Sequence, residues 1–266
     1  MSTTQKSARS VTSLIGSLYR CGLAAVVGVL CAAPGVAEAT QKVYSPIVEE
    51  GEFAIEYRGH HDFDKRSSRN GAQKMKMEVE YGVTDRWATA LEGEFERDNR
   101  SDAMHFSATA WENLFQFVPQ GKYWLDSGLF VEYEVPSDTT AADKLELKLL
   151  LEKSMPKWIH TANVVLEKQL GNNASEGTEY GYAWRSKYLL GPKLELGFEA
   201  HGSLGQVSHT KGFDQQTHQV GPVIYGSLPI GDHGDKIRYE FGYLVGLTDA
   251  SADGSLKWLV EYETHF

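Results

Sequence analysis

The sequence predicts an all-β protein: a transmembrane antiparallel up-and-down β-barrel of about 12 strands, preceded by a cleaved signal peptide. Three observations carry that expectation. Short segments across residues 51–266 alternate apolar with charged side chains, the period of a strand with two unlike faces. The connections between them alternate long and short, as external loops and periplasmic turns do in membrane barrels. The first 39 residues have the layout of an export signal: Lys6, Arg9 and Arg20, an apolar run over 21–33, then Ala37-Glu38-Ala39 in the A-x-A form.

That apolar run is too short for a spanning helix, which needs about 20 residues. Leu30 before Cys31 fits a lipoprotein cleavage site poorly, so no lipid anchor is expected. Residues 1–39 are therefore read as the signal peptide and 40–266 as one barrel domain.

The first strand is predicted over 51–59, with Phe53, Ile55 and Tyr57 opposite Glu52, Glu56 and Arg58. The second covers 73–83, with Met75, Met77, Val79 and Tyr81 opposite Lys74, Lys76, Glu78 and Glu80. A Thr84-Asp85-Arg86 turn leads to the third, where Trp87, Leu91 and Phe95 oppose Glu92, Glu94 and Glu96. The fourth, within 103–118, changes parity between Phe106 and Trp111, which a β-bulge near Glu112 would reconcile. The fifth starts at Tyr123 and sets Leu129, Val131 and Tyr133 against Asp126, Glu132 and Glu134. The sixth, 145–152, is rich in Leu, Lys and Glu and reads equally as helix. Its place between strand hairpins favours strand.

The seventh carries Trp158, Ala162, Val164 and Leu166, and the eighth sets Tyr180, Tyr182, Trp184 and Tyr188 against Arg185 and Lys187. In the ninth, Leu194, Leu196 and Phe198 oppose Glu195, Glu199 and His201. The tenth includes Val220, Pro222, Ile224 and Leu228; the eleventh sets Ile237, Tyr239, Phe241, Tyr243 and Val245 against Arg238 and Glu240. The last sets Leu256, Trp258, Val260, Tyr262 and Phe266 against Lys257, Glu261 and Glu263.

The segments 60–71, 171–177 and 205–216 are long and polar, whereas 84–86, 120–121 and 191–192 are short. The connection 231–236 should be periplasmic yet is not tight. Tyr81, Trp87, Tyr123, Trp158, Tyr188, Tyr239 and Phe266 fall near the short-turn end; Tyr133, Tyr180, Tyr182 and Tyr243 fall near the other. Two interfacial girdles have this distribution. A soluble barrel or sandwich would turn the apolar parity inward. About eight strands fill such an interior, and about 12 would leave it too wide to pack dry.

Cys21 and Cys31 both lie in the predicted signal, so the mature chain has no disulfide and no thiol chemistry. Removing residues 1–39 leaves 23 basic against 35 acidic residues, a net charge of −12. An acidic chain makes nucleic acid an unsuitable partner.

The inward parity supplies the candidate lumen lining: Lys74, Lys76, Glu78, Glu92, Glu94 and Glu96, then Glu132 and Glu134. The second half adds Arg185, Lys187, Glu195, Glu199, Arg238, Glu240, Lys257 and Glu261. The turn at 84–86 suggests a register in which Lys74 faces Glu96, Lys76 faces Glu94 and Glu78 faces Glu92. Opposite charges across strands stabilise a sheet by a few tenths to about 1 kcal/mol. The Glu78/Glu92 pair then calls for a cation or a shared proton; the plainer alternative is that these charges are simply solvated.

A lipid hydrolase would need Ser and His together on the outer face near the external rim. His218 has no Ser companion on adjacent strands, and Ser186 and His160 lie toward the opposite half. His60-His61-Asp62 has ligand types, but adjacent histidines in a polar loop more often just face solvent. No catalytic residue, metal or cofactor is expected.

A final amphipathic strand ending on Phe resembles the C-terminal signature of bacterial outer-membrane barrels. The segments Tyr81-Gly82-Val83-Thr84-Asp85-Arg86-Trp87, Gly128-Leu129-Phe130-Val131-Glu132-Tyr133-Glu134-Val135-Pro136 and Val220-Gly221-Pro222-Val223 resemble a loose group of outer-membrane barrels that includes transporters of the MetA pathway of phenol degradation. The resemblance implies residence in the outer membrane among its lipids, assembly by the barrel-assembly machinery through Phe266, and passage of a small solute. The acidic lining implies cations or polar neutral solutes. A lipid-modifying enzyme and a structural surface barrel are the alternatives.

Overall fold

The computed structural model describes residues 41–191, 193–231 and 234–266. The predicted signal peptide lies outside the described residues. Twelve long strands form one closed antiparallel sheet: β1 (Glu52–Phe63), β2 (Gln73–Thr84), β3 (Trp87–Arg97), β4 (His105–Gln116), β5 (Asp126–Pro136), β6 (Asp143–Ser154), β7 (Trp158–Leu170), β8 (Glu179–Gly191), β9 (Leu194–Gln206), β11 (Thr217–Ile230), β12 (Asp235–Gly246) and β13 (Gly254–His265). The two-residue β10 (His209–Thr210) pairs only with the end of β9. Consecutive long strands are neighbours throughout, and β1 pairs with β13 to close the ring.

The faces are inverted relative to a soluble barrel. Leu91 is 63% exposed, while its neighbour Glu92 is 2% exposed. Met77, Val79, Phe198, Ile224 and Phe241 also point out, and the charged residues between them are buried. Apolar side chains gain nothing from an aqueous exterior, so this outer wall suits hydrocarbon. No described helix is long and apolar enough to cross a membrane; here the strands do the crossing.

Three local expectations need correction. The extra residue in β4 is Ser107, where Glu94 pairs with Ala108 and Phe95 with Phe106, rather than a residue near Glu112. The shift turns Phe106 outward and leaves Ala108, Ala110 and Glu112 facing in. β5 begins at Asp126, so the connection from β4 is longer than residues 120–121. Asp126 accepts a hydrogen bond from Gly121 N at 2.7 Å and holds that turn; Tyr123 and Trp124 stand exposed on it. β1 runs on to Phe63, which puts His60 and Asp62 inward and His61 on the other face. Strand alternation therefore separates the two histidines that a shared metal would need. The Leu-rich segment is a strand: Leu149 faces out and Leu150 is fully buried.

Aromatic pairs mark the short-turn rim: Trp158 meets Tyr188 at 5.0 Å, Trp87 stacks on Phe115 at 6.4 Å, and Phe53 meets Phe266 at 5.9 Å. At the other rim the loop after β1 clasps the loop before β13. Arg66 Nη2 donates to Ser251 O at 2.7 Å, and Arg69 Nη1 to Ala250 O at 2.6 Å. Asp64 orients Arg66 by accepting from its Nε at 2.8 Å and its backbone N at 2.7 Å. These hydrogen bonds hold the Asp64 carboxyl below its ordinary value. The clasp is therefore fully favoured above the unfolded Asp value of about 3.9 and weakens as pH falls through the lowered one. Pepsin cleavage at Phe63, beside the clasp, should rise over that acid range; a cleavage rate flat with pH, measured against a casein control, would argue against the clasp.

Before β1 the chain does not stay outside. Residues 41–48 run inside the barrel as an irregular strap, and Val43 and Tyr44 are buried there. Gly51, with φ +79°, makes the bend from strap to strand. Two interior glycines make room. A Cβ at Gly82 would run into the Glu49 carbonyl, and one at Gly128 would lie 3.1 Å from Pro46 Cβ.

Candidate functional site: a bore closed at mid-depth

The candidate site is the interior itself. Its centre is Arg58, which strand parity on β1 points into the lumen. One Nη contacts Glu56 and Glu78, and the other contacts Glu92. The second also reaches Glu112 at 3.5 Å and Tyr44 Oη at 3.2 Å. A single guanidinium, with its fixed fork of donors, thus ties β1, β2, β3, β4 and the strap together. The Glu78/Glu92 pair does hold a cation, and the cation is this side chain.

The register of β2 against β3 is the one the turn predicts: Lys74 opposite Glu96, Lys76 opposite Glu94, Glu78 opposite Glu92. The ion pairs slant by one rung. Lys74 reaches Glu94 at 2.5 Å, and Lys76 reaches both Glu94 at 2.5 Å and Glu92 at 2.7 Å. Glu96 stays half-buried beyond the end of this ladder. Because Lys76 and Glu94 are buried, reversing either alone leaves like charges facing each other. Exchanging the two should recover much of the loss, with a coupling of about 0.5–3 kcal/mol in a double-mutant cycle of urea unfolding. Equal damage from all three variants would reject the pairing.

Further along the ring, Lys144 pairs with Glu134 at 2.9 Å. Glu132 is buried beside them. Lys148 forms an ion pair with Glu146 at 2.7 Å and lies 4.2 Å from the ring centres of both Tyr44 and Phe130. On the far wall Glu199 gathers Lys257 at 2.7 Å, Tyr225 Oη at 2.7 Å and His201 Nε2 at 2.9 Å. Lys257 also reaches Glu240 at 3.3 Å, as does Arg185 at 3.4 Å. Lys187 pairs with Glu195 at 2.8 Å; Arg238 pairs with Glu263 at 3.0 Å and Glu261 at 3.6 Å. All sixteen lining candidates sit on inward positions. Arg238 alone of them is mostly open to solvent, at the short-turn mouth.

The strap completes the closure. Tyr44 N donates to Asn163 Oδ1 on β7 at 2.8 Å, and Asn163 Nδ2 returns a bond to Tyr44 O at 2.8 Å. Val48 N donates to Gln116 Oε1 at 2.9 Å. Lys42 pairs with Glu56 at 2.8 Å, and Gln41 reaches Gln219 on β11 at 3.3 Å. Tyr44 packs against Phe130 with ring centres 4.3 Å apart and shares a small apolar cluster with it and with Ala88, Leu114 and Leu150. The strap therefore touches walls on both sides of the bore. Below it, toward the short-turn mouth, a vestibule of about 340 Å³ remains.

Reading by parity alone missed Glu56, Arg58, Glu112 and Glu146 as partners. Their inward parity was visible; their role depends on a curvature that brings β1 side chains to β4. Lys42, Tyr44 and Asn163 had no periodic signal.

The outer face brings two distant residues together: His160 Nδ1 and Ser186 Oγ are 2.8 Å apart on paired rungs of β7 and β8. Trp184 Nε1 donates to the same Ser186 Oγ at 2.9 Å. No carboxylate bonds His160 among the described residues. His218 is held by Tyr182 Oη at 2.9 Å and Gln216 Oε1 at 2.8 Å, with no Ser hydroxyl on its ring.

A closed barrel with an apolar outer band, two aromatic rims and ionisable groups within defines the chain as an outer-membrane β-barrel. Solved structures of an outer membrane channel and of a porin are similar to it. An outer membrane channel from Pseudomonas putida F1 is 13% identical with a TM-score of 0.58, over 88% of this chain and 99% of that one. The NanC porin is 9% identical with a TM-score of 0.54, over 80% of this chain and 100% of that one. At these identities the likeness is one of fold. No family model and no curated protein matches the chain.

Proposed function

We propose that this protein is a channel of the outer membrane for small solutes, closed at mid-depth by residues 41–48 and the Arg58 network, and opened by movement of the strap. The observation that carries the reading is a polar vestibule that leads up to a layer of buried, mutually paired charges. The transporter group that residues 81–87 and 128–136 resemble, and the channel and porin that share the fold, support the same reading. The excess of carboxylates in the bore favours cations or polar neutral solutes over anions.

Planar-bilayer recording of refolded protein under a salt gradient tests this. The expected result is rare openings with a cation-selective reversal potential. A barrel that never conducts, even after strap removal, would reject it.

A second reading, a lipid-modifying enzyme, has the His160–Ser186 contact in its favour. It lacks an orienting acid and an evident oxyanion site. Fatty-acid release from phospholipid vesicles that vanishes in Ser186→Ala would establish it over the channel.

We further propose that the barrel-assembly machinery engages β13 through Phe266. Phe266→Ser should lower the amount of folded, heat-modifiable barrel in outer-membrane fractions; an unchanged amount would remove that role.

A further inference from the structure

The vestibule is not uniformly acidic. Around the ring, β8 and β2 are six steps apart in twelve, so they face each other across the bore. β8 presents Arg185 and Lys187 to the vestibule, and β2 presents Glu80. On the arc between them, Arg238 and Glu240 on β12 stand midway, and Glu261 on β13 and Glu56 on β1 lie nearer Glu80. Most of the lining charges are already paired: Lys187 with Glu195, Glu56 with Lys42, and Arg238 with Glu261 and Glu263.

Two of these groups are left wanting partners. Arg185 is only 4% exposed, yet its Nε has no hydrogen-bond partner and its single ion pair, to Glu240, is long at 3.4 Å. Among the described residues no hydrogen bond or ion pair reaches Glu80. A buried guanidinium donor left bare costs free energy, and a carboxylate on the opposite wall is out of hydrogen-bond reach. A molecule with both charge signs would satisfy the two at once. A plain anion would satisfy Arg185 and leave Glu80 without a partner; a plain cation would do the reverse.

We propose that the vestibule is a binding site for a small zwitterion carrying a carboxylate and an ammonium, with the carboxylate on Arg185 and Lys187 and the ammonium on Glu80. Its volume of about 340 Å³ falls in the range of small-molecule pockets. Tyr225, whose ring lies 5.8 Å from the Arg185 guanidinium carbon and 5.4 Å from Lys187 Nζ, walls the basic side and limits the ligand's reach. The proposal names the solute class for the channel reading and rests on that reading for the claim of passage.

The test is calorimetric titration of the full mature protein, refolded in uncharged detergent, with glycine, 4-aminobutyrate and 6-aminohexanoate. Butyrate and butylammonium are the single-charge controls. A longer zwitterion should bind more tightly than glycine, and each control at least about tenfold more weakly, the cost of losing one charge-assisted contact. Glu80→Gln should weaken the zwitterion by a similar factor and leave butyrate unweakened. Because Glu80 has no partner to lose, this variant should fold normally. Arg185→Lys, which keeps the charge but not the fork, should weaken zwitterion and butyrate alike. Butyrate binding as tightly as the zwitterion, or Glu80→Gln without effect, would overturn the proposal. No binding by a barrel that still conducts would overturn the site and spare the channel; binding to a barrel that never conducts would do the opposite.

Discussion

Arg58→Met is expected to be among the most damaging single substitutions in this barrel, costing about 3–5 kcal/mol of stability, the usual loss when one partner of a buried ion pair is removed. Four carboxylates, those of Glu56, Glu78, Glu92 and Glu112, converge on this one guanidinium. Lys42 and Lys76 would remain to offset them, at Glu56 and Glu92 respectively. Glu112 would be left without a cation and Glu78 with only Lys42 at 3.5 Å. Methionine fills similar space but cannot neutralise charge. Loss should be largely rescued by adding Glu78→Gln and Glu112→Gln, which remove the two carboxylates left weakly paired or unpaired while keeping hydrogen-bonding shape. Urea unfolding in micelles, followed by tryptophan fluorescence, reads both effects. A stable Arg58→Met barrel, or a triple variant no better than the single, would show that the convergence carries little energy.

Deleting residues 41–48, with the predicted signal-peptide junction retained, is expected to raise single-channel conductance several-fold. The strap fills the bore beside Arg58, and 12 strands enclose a narrow interior to begin with. Nothing in the sheet depends on it, since the ring closes through β1 and β13, so the barrel should still form. Lys42→Ala with Tyr44→Ala is the milder version. It removes the Glu56 ion pair and the packing on Phe130 but keeps the backbone bonds to Asn163. Brief, frequent openings are expected in place of a permanently open pore. Conductance unchanged by the deletion would mean that wall side chains alone seal the bore.

The strands were legible because a two-faced strand writes its orientation into every second residue. The β2/β3 register was legible as well, since a short turn leaves one pairing that keeps every apolar residue outside. The bulge was placed wrongly because parity shows only that a shift occurs between Phe106 and Trp111; Ala108 and Ala110 are small enough to read as either face. The start of β5 was placed too early since Tyr123 and Leu125 continue the alternation into a turn. Closure of the bore was not legible at all. Tyr44 and Asn163 are 119 residues apart, and nothing in either neighbourhood announces the other. Arg58 was seen as an inward charge, but the number of acids around it depends on how tightly the wall curves.

The location of the strap's anchors bears on how the molecule is made. Gln116, Phe130, Leu150 and Asn163 belong to β4 through β7, and Lys42 and Tyr44 meet groups on β1, β2 and β4. Among the described residues, the one hydrogen bond from this strap to the other half runs from Gln41 to Gln219. The first seven strands can thus curl around the leading segment as around a mandrel while the last five are still unplaced. Entropy lost in gathering those early strands is offset locally, before the costly long-range seam between β1 and β13 is zipped. Strap-deleted chains should accordingly reach the closed form more slowly in micelles, even where the finished barrel is equally stable; equal refolding rates would discount the mandrel.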